Sequence, residues 1–375
     1  GKTDVLTMSE VLALVYHKER EVRRRAHDTL FEILSRHDLV LTAIYETLVQ
    51  DHLTMDRLRR FCHPMAERHL ENEIDAQAVE QMLAATEANY GIAHRYFRVK
   101  ARLLGLPGLA LFDQYAPVSD ALPACLFDRA RDMVLEAFDA FSPSFRQIAQ
   151  QFFEGRWIDA EVRQGKRGGA FCASTTPGLH PYILCNYTDN LRDVVTLAHE
   201  LGHGLHASLA RTQTLFNYDT PRTTAETASV FAEFLVFDHL VRTQKDPQVQ
   251  LALICGKIED TFGTVFRQNV LTRFEQAVFE RRGKGRLTAE AICEAWIEAN
   301  RPYYGDAVEM TDGYRWGWSY IPHFIHTRFY CYSYVFGELL TLSLYRQYKE
   351  EGAPFVSRYI GLLEAGGSDS PASLL

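Results

Sequence analysis

Apolar residues recur every three to four positions along most of this chain, the spacing that lays one face of an α-helix against a core. On that criterion residues 8–104 read as successive helices. One opens at Ser9-Glu-Val-Leu-Ala-Leu-Val, a charged amphipathic one covers Glu19 to Ser35, and another covers Leu39 to Gln50. Gly105-Leu-Pro-Gly108 breaks the pattern, and Asp113 to Asp120 reads as an extended connection. Helical spacing resumes over Phe127 to Phe153, interrupted near Ser142-Pro143, and returns over Val249 to Arg281 and Thr288 to Asn300. Between them, Ile158-Asp-Ala-Glu, Gly168-Gly-Ala-Phe-Cys-Ala and His180-Pro-Tyr-Ile-Leu-Cys-Asn-Tyr are short strand-like runs separated by glycines. The pattern predicts a mainly α fold with one small sheet, divided into a helical scaffold lobe over residues 1–120 and a second region over 121–375.

Within that second region, Thr196-Leu-Ala-His199-Glu200-Leu-Gly-His203-Gly-Leu-His206 carries the chemistry. Val194, Val195, Leu197, Ala198, Leu201 and Leu205 supply the apolar side of a helix. His199 and His203, four apart, project from one face and can put two imidazoles on one metal ion, with Glu200 beside it as a base. The same residues, without a metal, would make an ordinary exposed face or a core pair. Gly202 and Gly204 each cost about 1 kcal/mol of helix propensity. Either something approaches the backbone closely there, or a neighbouring helix packs against it.

A catalytic zinc wants a third protein ligand and an open position. The extended pattern with Gly and His three and six residues after the second His is not met, since those positions are His206 and Leu209. Arg222 to Phe237 is a second apolar helical stretch, in which Glu226 and Glu233 lie seven apart and so on one face. Glu226 is the expected ligand. Glu233 is the expected partner of a ligand imidazole's other N–H. Asp219, or Glu233 itself as ligand, competes.

At 375 residues and 47% hydrophobic, the chain can bury a large core. A net charge of −8 with both signs interspersed gives no reason to expect nucleic-acid binding. The cluster Arg23-Arg24-Arg25 has acidic neighbours at Glu19, Glu21 and Asp28 and reads as a solvated face. His17, His27, His37, His52, His63, His69 and His94 show no ligand spacing. Seven cysteines without a C-x-x-C pair argue against a disulfide framework and for a reducing compartment. No apolar run approaches membrane-spanning length and residues 1–20 lack a signal-peptide pattern, so the expectation is a cytoplasmic protein without membrane contact.

His199-Glu-Leu-Gly-His-Gly-Leu-His206 followed by Glu226-Thr-Ala-Ser-Val-Phe-Ala-Glu233 resembles the oligoendopeptidase F branch of the thimet-oligopeptidase-like zinc peptidases, peptidase family M3. Gly178 to Tyr187, Trp318-Ser-Tyr-Ile-Pro-His323-Phe and Ala365-Gly-Gly-Ser-Asp-Ser-Pro371 extend the resemblance over nearly the whole chain. It implies a helical zincin-like peptidase fold around a deep substrate channel, with a small β-sheet next to the zinc helix. It also implies one zinc ion per chain and endopeptidase action on short peptides. By it His199, His203 and Glu226 match the metal ligands and Glu200 the general base.

The resemblance further assigns a His and tyrosines of the aromatic segment 314–334 to the oxyanion formed during attack. His323 matches directly. Tyr332 fits the spacing and Tyr330 nearly as well, while His326 has no counterpart. A buried aromatic core is the simpler account of many of these rings. The family carries a further helical lobe before the point where this sequence begins, so the scaffold lobe is expected to be incomplete at its N-terminus. Two rivals stay open: a zinc carboxypeptidase, for which Arg222 or Arg328 would hold the peptide carboxylate, and a helical binding protein with a structural zinc. An edge strand in the small sheet would suit an extended peptide, or be plain structure.

Overall fold

Each long stretch of helical spacing forms a helix, with ends set by local chemistry. The computed structural model describes residues 5–119, 122–220 and 222–375. The boundary expected at 120/121 lies outside them. Glu19–Ser35 becomes Arg20–Ser35, and Leu39–Gln50 becomes the longer Asp38–Arg59. The interruption at Ser142 is a cap: the Ser142 side chain accepts from the Ser144 N–H, closing Phe127–Phe141 and opening Pro143–Glu154. The stretch expected as one helix over Val249–Arg281 runs from Pro247 to Lys284, with a π-helical segment at Gly263–Arg267. Among the described residues no helix is long and apolar enough to cross a membrane.

Contacts divide the chain differently from the two blocks expected. The first unit comprises the described residues of 1–71, 75–120 and 255–335. The second comprises those of 72–74, 121–254 and 336–375. Residues 255–335, expected with the second region, pack with the first 120, because their apolar faces are complementary across a separation that periodicity cannot report. The first unit is helical apart from a second small sheet, not expected, in which Leu109–Ala110 pairs in parallel with Val308–Glu309, and its core is built on rings: Tyr45 stacks against Phe274, Trp318 and Phe324 at centroid distances of 6.1, 5.5 and 5.9 Å. Arg23, expected on a solvated face, is buried here. Its guanidinium donates to Asp113 Oδ1 at 2.8 Å and to the Phe112 carbonyl at 3.1 Å. Asp113 lies 90 residues on, so the pairing that draws Arg23 inward has no local signal.

In the second unit the strand-like runs form a three-stranded sheet. Tyr182–Leu184 is central, parallel to Ile158–Asp159 and antiparallel to Phe171–Ala173. Lys166 staples it, its Nζ donating to the Asp159, Glu161 and Cys185 carbonyls at 2.9, 2.8 and 2.7 Å. Next comes the helix Leu191–Leu209, its first turn capped by Asn190, which accepts from the Arg192 N–H at 2.7 Å. Val194, Leu197, Ala198, Leu201 and Leu205 are at most 1% exposed and join the core of this unit.

The helix Arg222–Thr243 packs along it. A Cβ built on Gly202 would stand 2.5 Å from Ser229 Cα and 2.6 Å from the Ala228 carbonyl, and one on Gly204 would stand 2.6 Å from the Phe152 ring. Helix packing is therefore the reason for both glycines. Gly202→Ala gains about 1 kcal/mol of helix propensity but forces backbone against backbone, where overpacking costs about 1–3 kcal/mol. The expected outcome is a lower urea midpoint at unchanged m-value, and a midpoint at or above the parent's would mean the contact is slack.

Candidate active site

The two helices that meet at Gly202 bring the predicted site together. His199 Nε2 lies 3.4 Å and His203 Nε2 3.5 Å from Glu226 Oε2. Among the described residues, His199, His203 and Glu226 are the group whose ligand atoms, all within 4.8 Å of one another, could share a metal ion. On its opposite edge the His199 ring meets Glu233, Nδ1 to Oε1 at 2.6 Å. Two turns of one helix thus offer one carboxylate to the imidazole Nε2 atoms and the other to the back of a ring. Ser229 was not anticipated: its hydroxyl donates to Glu226 Oε2 at 2.8 Å. Three residues beyond Glu226 on the same helix, it could have been found by spacing alone.

His199, His203 and Glu226 line a cleft of about 540 Å³, together with Glu200, His206, Tyr218, Asp219, Ala170 and the strand residues Phe171 and Cys172. Asp219, the rival ligand, sits exposed at the rim outside the metal-sized group. Glu200 is 5% exposed, and its Oε2 has no hydrogen-bond partner among the described residues. Burial, with Glu226 and Glu233 adding to it against the pull of His199, raises Glu200 to about 7. Burial would lower His199, but its hydrogen bond to Glu233 and the surrounding carboxylates lift it to about 9. Burial keeps His203 below its ordinary value and drives His206 down to about 4. Three carboxylates crowded around imidazoles, with an orphaned carboxylate oxygen beside them, fit a bound cation that the two His and Glu226 would ligate.

The rim of the cleft is set by the Ala365-Gly-Gly motif. The Gly367 N–H donates to the Asn217 carbonyl at 2.8 Å. A Cβ at Gly367 would lie 2.1 Å from the Asp219 carbonyl, so only glycine lets these two stretches touch. The edge strand Phe171–Ala173 borders the same cleft.

The aromatic residues belong to the first unit. His323 opens the short helix His323–His326 and is half-buried, which lowers its pKa. Its Nε2 lies 3.3 Å from the Tyr334 hydroxyl, and its ring stacks on Tyr330 at 6.1 Å. Tyr332, the residue favoured by spacing, is 0% exposed, with its hydroxyl 3.0 Å from His69 Nδ1. The tyrosines brought to His323 are thus Tyr330, one of the two expected, through its ring, and Tyr334, which spacing did not single out, through its hydroxyl. His326 is exposed. Arg328 is tied to the Ile325 carbonyl at 3.2 Å and His52 Nδ1 at 3.3 Å, and the Arg222 side chain lies outside the described residues.

The chain is similar to known peptidases over its whole length. Oligopeptidase PepF of Bacillus subtilis is 28% identical over 379 residues, covering 100% of this chain and 56% of that protein. An oligoendopeptidase F homolog of Lactococcus lactis subsp. lactis is 27% identical over 372 residues, covering 99% of this chain and 62% of the relative. The solved oligoendopeptidase-F of Enterococcus faecium matches with a TM-score of 0.78 at 23% identity, covering 100% of this chain and 61% of that one, a likeness of fold. This chain therefore spans less than two thirds of the length of these relatives. The family model described as Peptidase family M3 matches residues 13–375, and on that match the chain belongs to peptidase family M3, a family of metallopeptidases.

Proposed function

We propose that this chain forms the catalytic part of a zinc-dependent endopeptidase that hydrolyses short peptides. The observation that carries the reading is the convergence of His199, His203 and Glu226 within 4.8 Å beside the unpartnered, buried Oε2 of Glu200. These three would hold a zinc ion, which would supply Lewis acidity toward a water and the scissile carbonyl. Glu200 accepts the proton of the attacking water and can pass it to the leaving amine. Glu233 fixes the orientation of the His199 ring, and Ser229 that of the Glu226 carboxylate. The edge strand Phe171–Ala173 offers main-chain donors and acceptors to an extended peptide, which suits substrates of varied sequence. The names of the relatives, oligopeptidase and oligoendopeptidase, support short peptides as substrates. Seven free cysteines support a reducing, cytoplasmic setting.

Negative charge developing on the carbonyl oxygen calls for hydrogen-bond donors, and the resemblance gives that task to His323 and a tyrosine. We assign Tyr334, because its hydroxyl is the one that reaches His323.

The metal assignment is tested by zinc titration. Glu226→Ala loses a ligand and should weaken binding by more than Glu233→Ala, which should cost about 10- to 100-fold. The reverse order would exchange the two roles.

Glu200→Gln should keep stoichiometric zinc yet cleave peptides about 100- to 10,000-fold more slowly, the usual worth of a general base. Turnover near the parent's, or turnover insensitive to a chelator in the parent, would sink the mechanism.

Tyr334→Phe should lower kcat about 100- to 1000-fold at little-changed KM, as for loss of one oxyanion donor. Tyr332→Phe should instead lower stability by about 0.5–1.5 kcal/mol, the worth of its bond to His69, with kcat retained. The opposite pattern in steady-state kinetics and melting would return the role to Tyr332.

A further inference from the structure

The connection that delivers Tyr330 and Tyr334 to His323 contains an unusual backbone. Between the short helix His323–His326 and the helix that begins at Cys331, Phe329 takes a φ of +56°. A bulky side chain adopts that left-handed conformation only where its surroundings require it. Here the Phe329 N–H donates to both carboxyl oxygens of Glu275, at 3.0 and 3.1 Å. The preceding carbonyl, of Arg328, accepts from Arg68 Nε at 3.3 Å. The Phe329 ring is buried against Phe279 and His52 at 4.7 and 5.8 Å.

Glu275 is the costly member of this arrangement. It is 0% exposed on the helix Gln268–Lys284. Burial raises its pKa to about 8, against the pull of the Phe329 N–H, Arg328 and Arg68. Tyr45 and Cys331, both enclosed, also face it. An apolar residue would fill such a site without the expense of removing a carboxyl from water. What an apolar residue cannot do is accept the Phe329 N–H.

We infer that Glu275 is a positioning residue, which fixes the turn at Phe329 and thereby sets the Tyr334 hydroxyl against His323. The inference rests on the reading that His323 and Tyr334 act on the reacting carbonyl. Glu275 fixes that turn from the helix Gln268–Lys284. It acts through one backbone N–H, two residues before the helix position of Cys331.

The experiment compares Glu275→Leu, Glu275→Gln, Tyr334→Phe and the double variant Glu275→Leu/Tyr334→Phe, each with zinc content, kcat and KM on one peptide. Glu275→Leu keeps bulk but not the acceptor, and should lower kcat about 10- to 100-fold with KM and zinc content little changed, as expected for a misplaced catalytic group. Glu275→Gln keeps an acceptor oxygen and should recover most of the turnover. The double variant should be no slower than Tyr334→Phe alone, because the two changes disable the same hydroxyl. Multiplicative losses in the double variant, or a Glu275→Gln as slow as Glu275→Leu, would overturn the inference. If Glu275→Leu does not fold, Glu275→Asn, whose shorter side chain withdraws the acceptor, takes its place with the same expectations. Full kcat in Tyr334→Phe would overturn the underlying reading and this inference with it. A loss in Tyr334→Phe beside full kcat in the Glu275 variants would overturn this inference alone.

Discussion

Two helices can hold one metal ion between them only if their backbones approach closely enough for short side chains to converge, and Gly202 makes that approach possible here. Ala228 and Ser229 of the second helix occupy the space a side chain at 202 would need. Glu226 Oε2 consequently lies 3.4 and 3.5 Å from the two imidazoles instead of addressing only one. Ser229 serves both purposes, filling the contact with its backbone and steadying Glu226 with its hydroxyl. Helix propensity is surrendered at 202 because the return is made in site geometry, a trade of local for tertiary preference.

The same convergence is electrostatically expensive. Glu200, Glu226 and Glu233 are drawn toward one another in partial burial, and the site answers by retaining protons: Glu200 is raised to about 7 and His199 to about 9. A divalent cation bound there would relieve that crowding and displace the proton on His199, which would link metal affinity to fold stability in this unit. The charge arrangement that would favour a bound metal is also the arrangement that would poise Glu200 to exchange a proton.

Much of this was legible in the residues. Four-residue spacing placed His199 and His203 on one face, and seven-residue spacing did the same for Glu226 and Glu233, because a helix converts sequence distance into direction. Gly-separated runs marked the three strands. What periodicity could not supply was the relation between elements far apart in the chain. It did not foresee Arg23 turned inward to Asp113, or residues 255–335 joining the first 120. Counting from His323 did not single out Tyr334 for a related reason: it assumes a regular path, and the path turns at Phe329 in a conformation no local preference announces. Tyr332 accordingly faces His69 and Tyr334 faces His323.

The contact between Gly367 and the Asn217–Asp219 loop has a temporal side. Ribosomes make a chain from its N-terminus, and domains fold as their residues become available. The helices that carry His199, His203 and Glu226 are finished by Thr243, yet the backbone that braces the loop at the cleft's rim is not made until Gly366 and Gly367 follow. A growing chain therefore carries His199, His203 and Glu226 through more than a hundred further additions before this wall of the cleft is supported, which delays completion of the cleft until synthesis is well advanced.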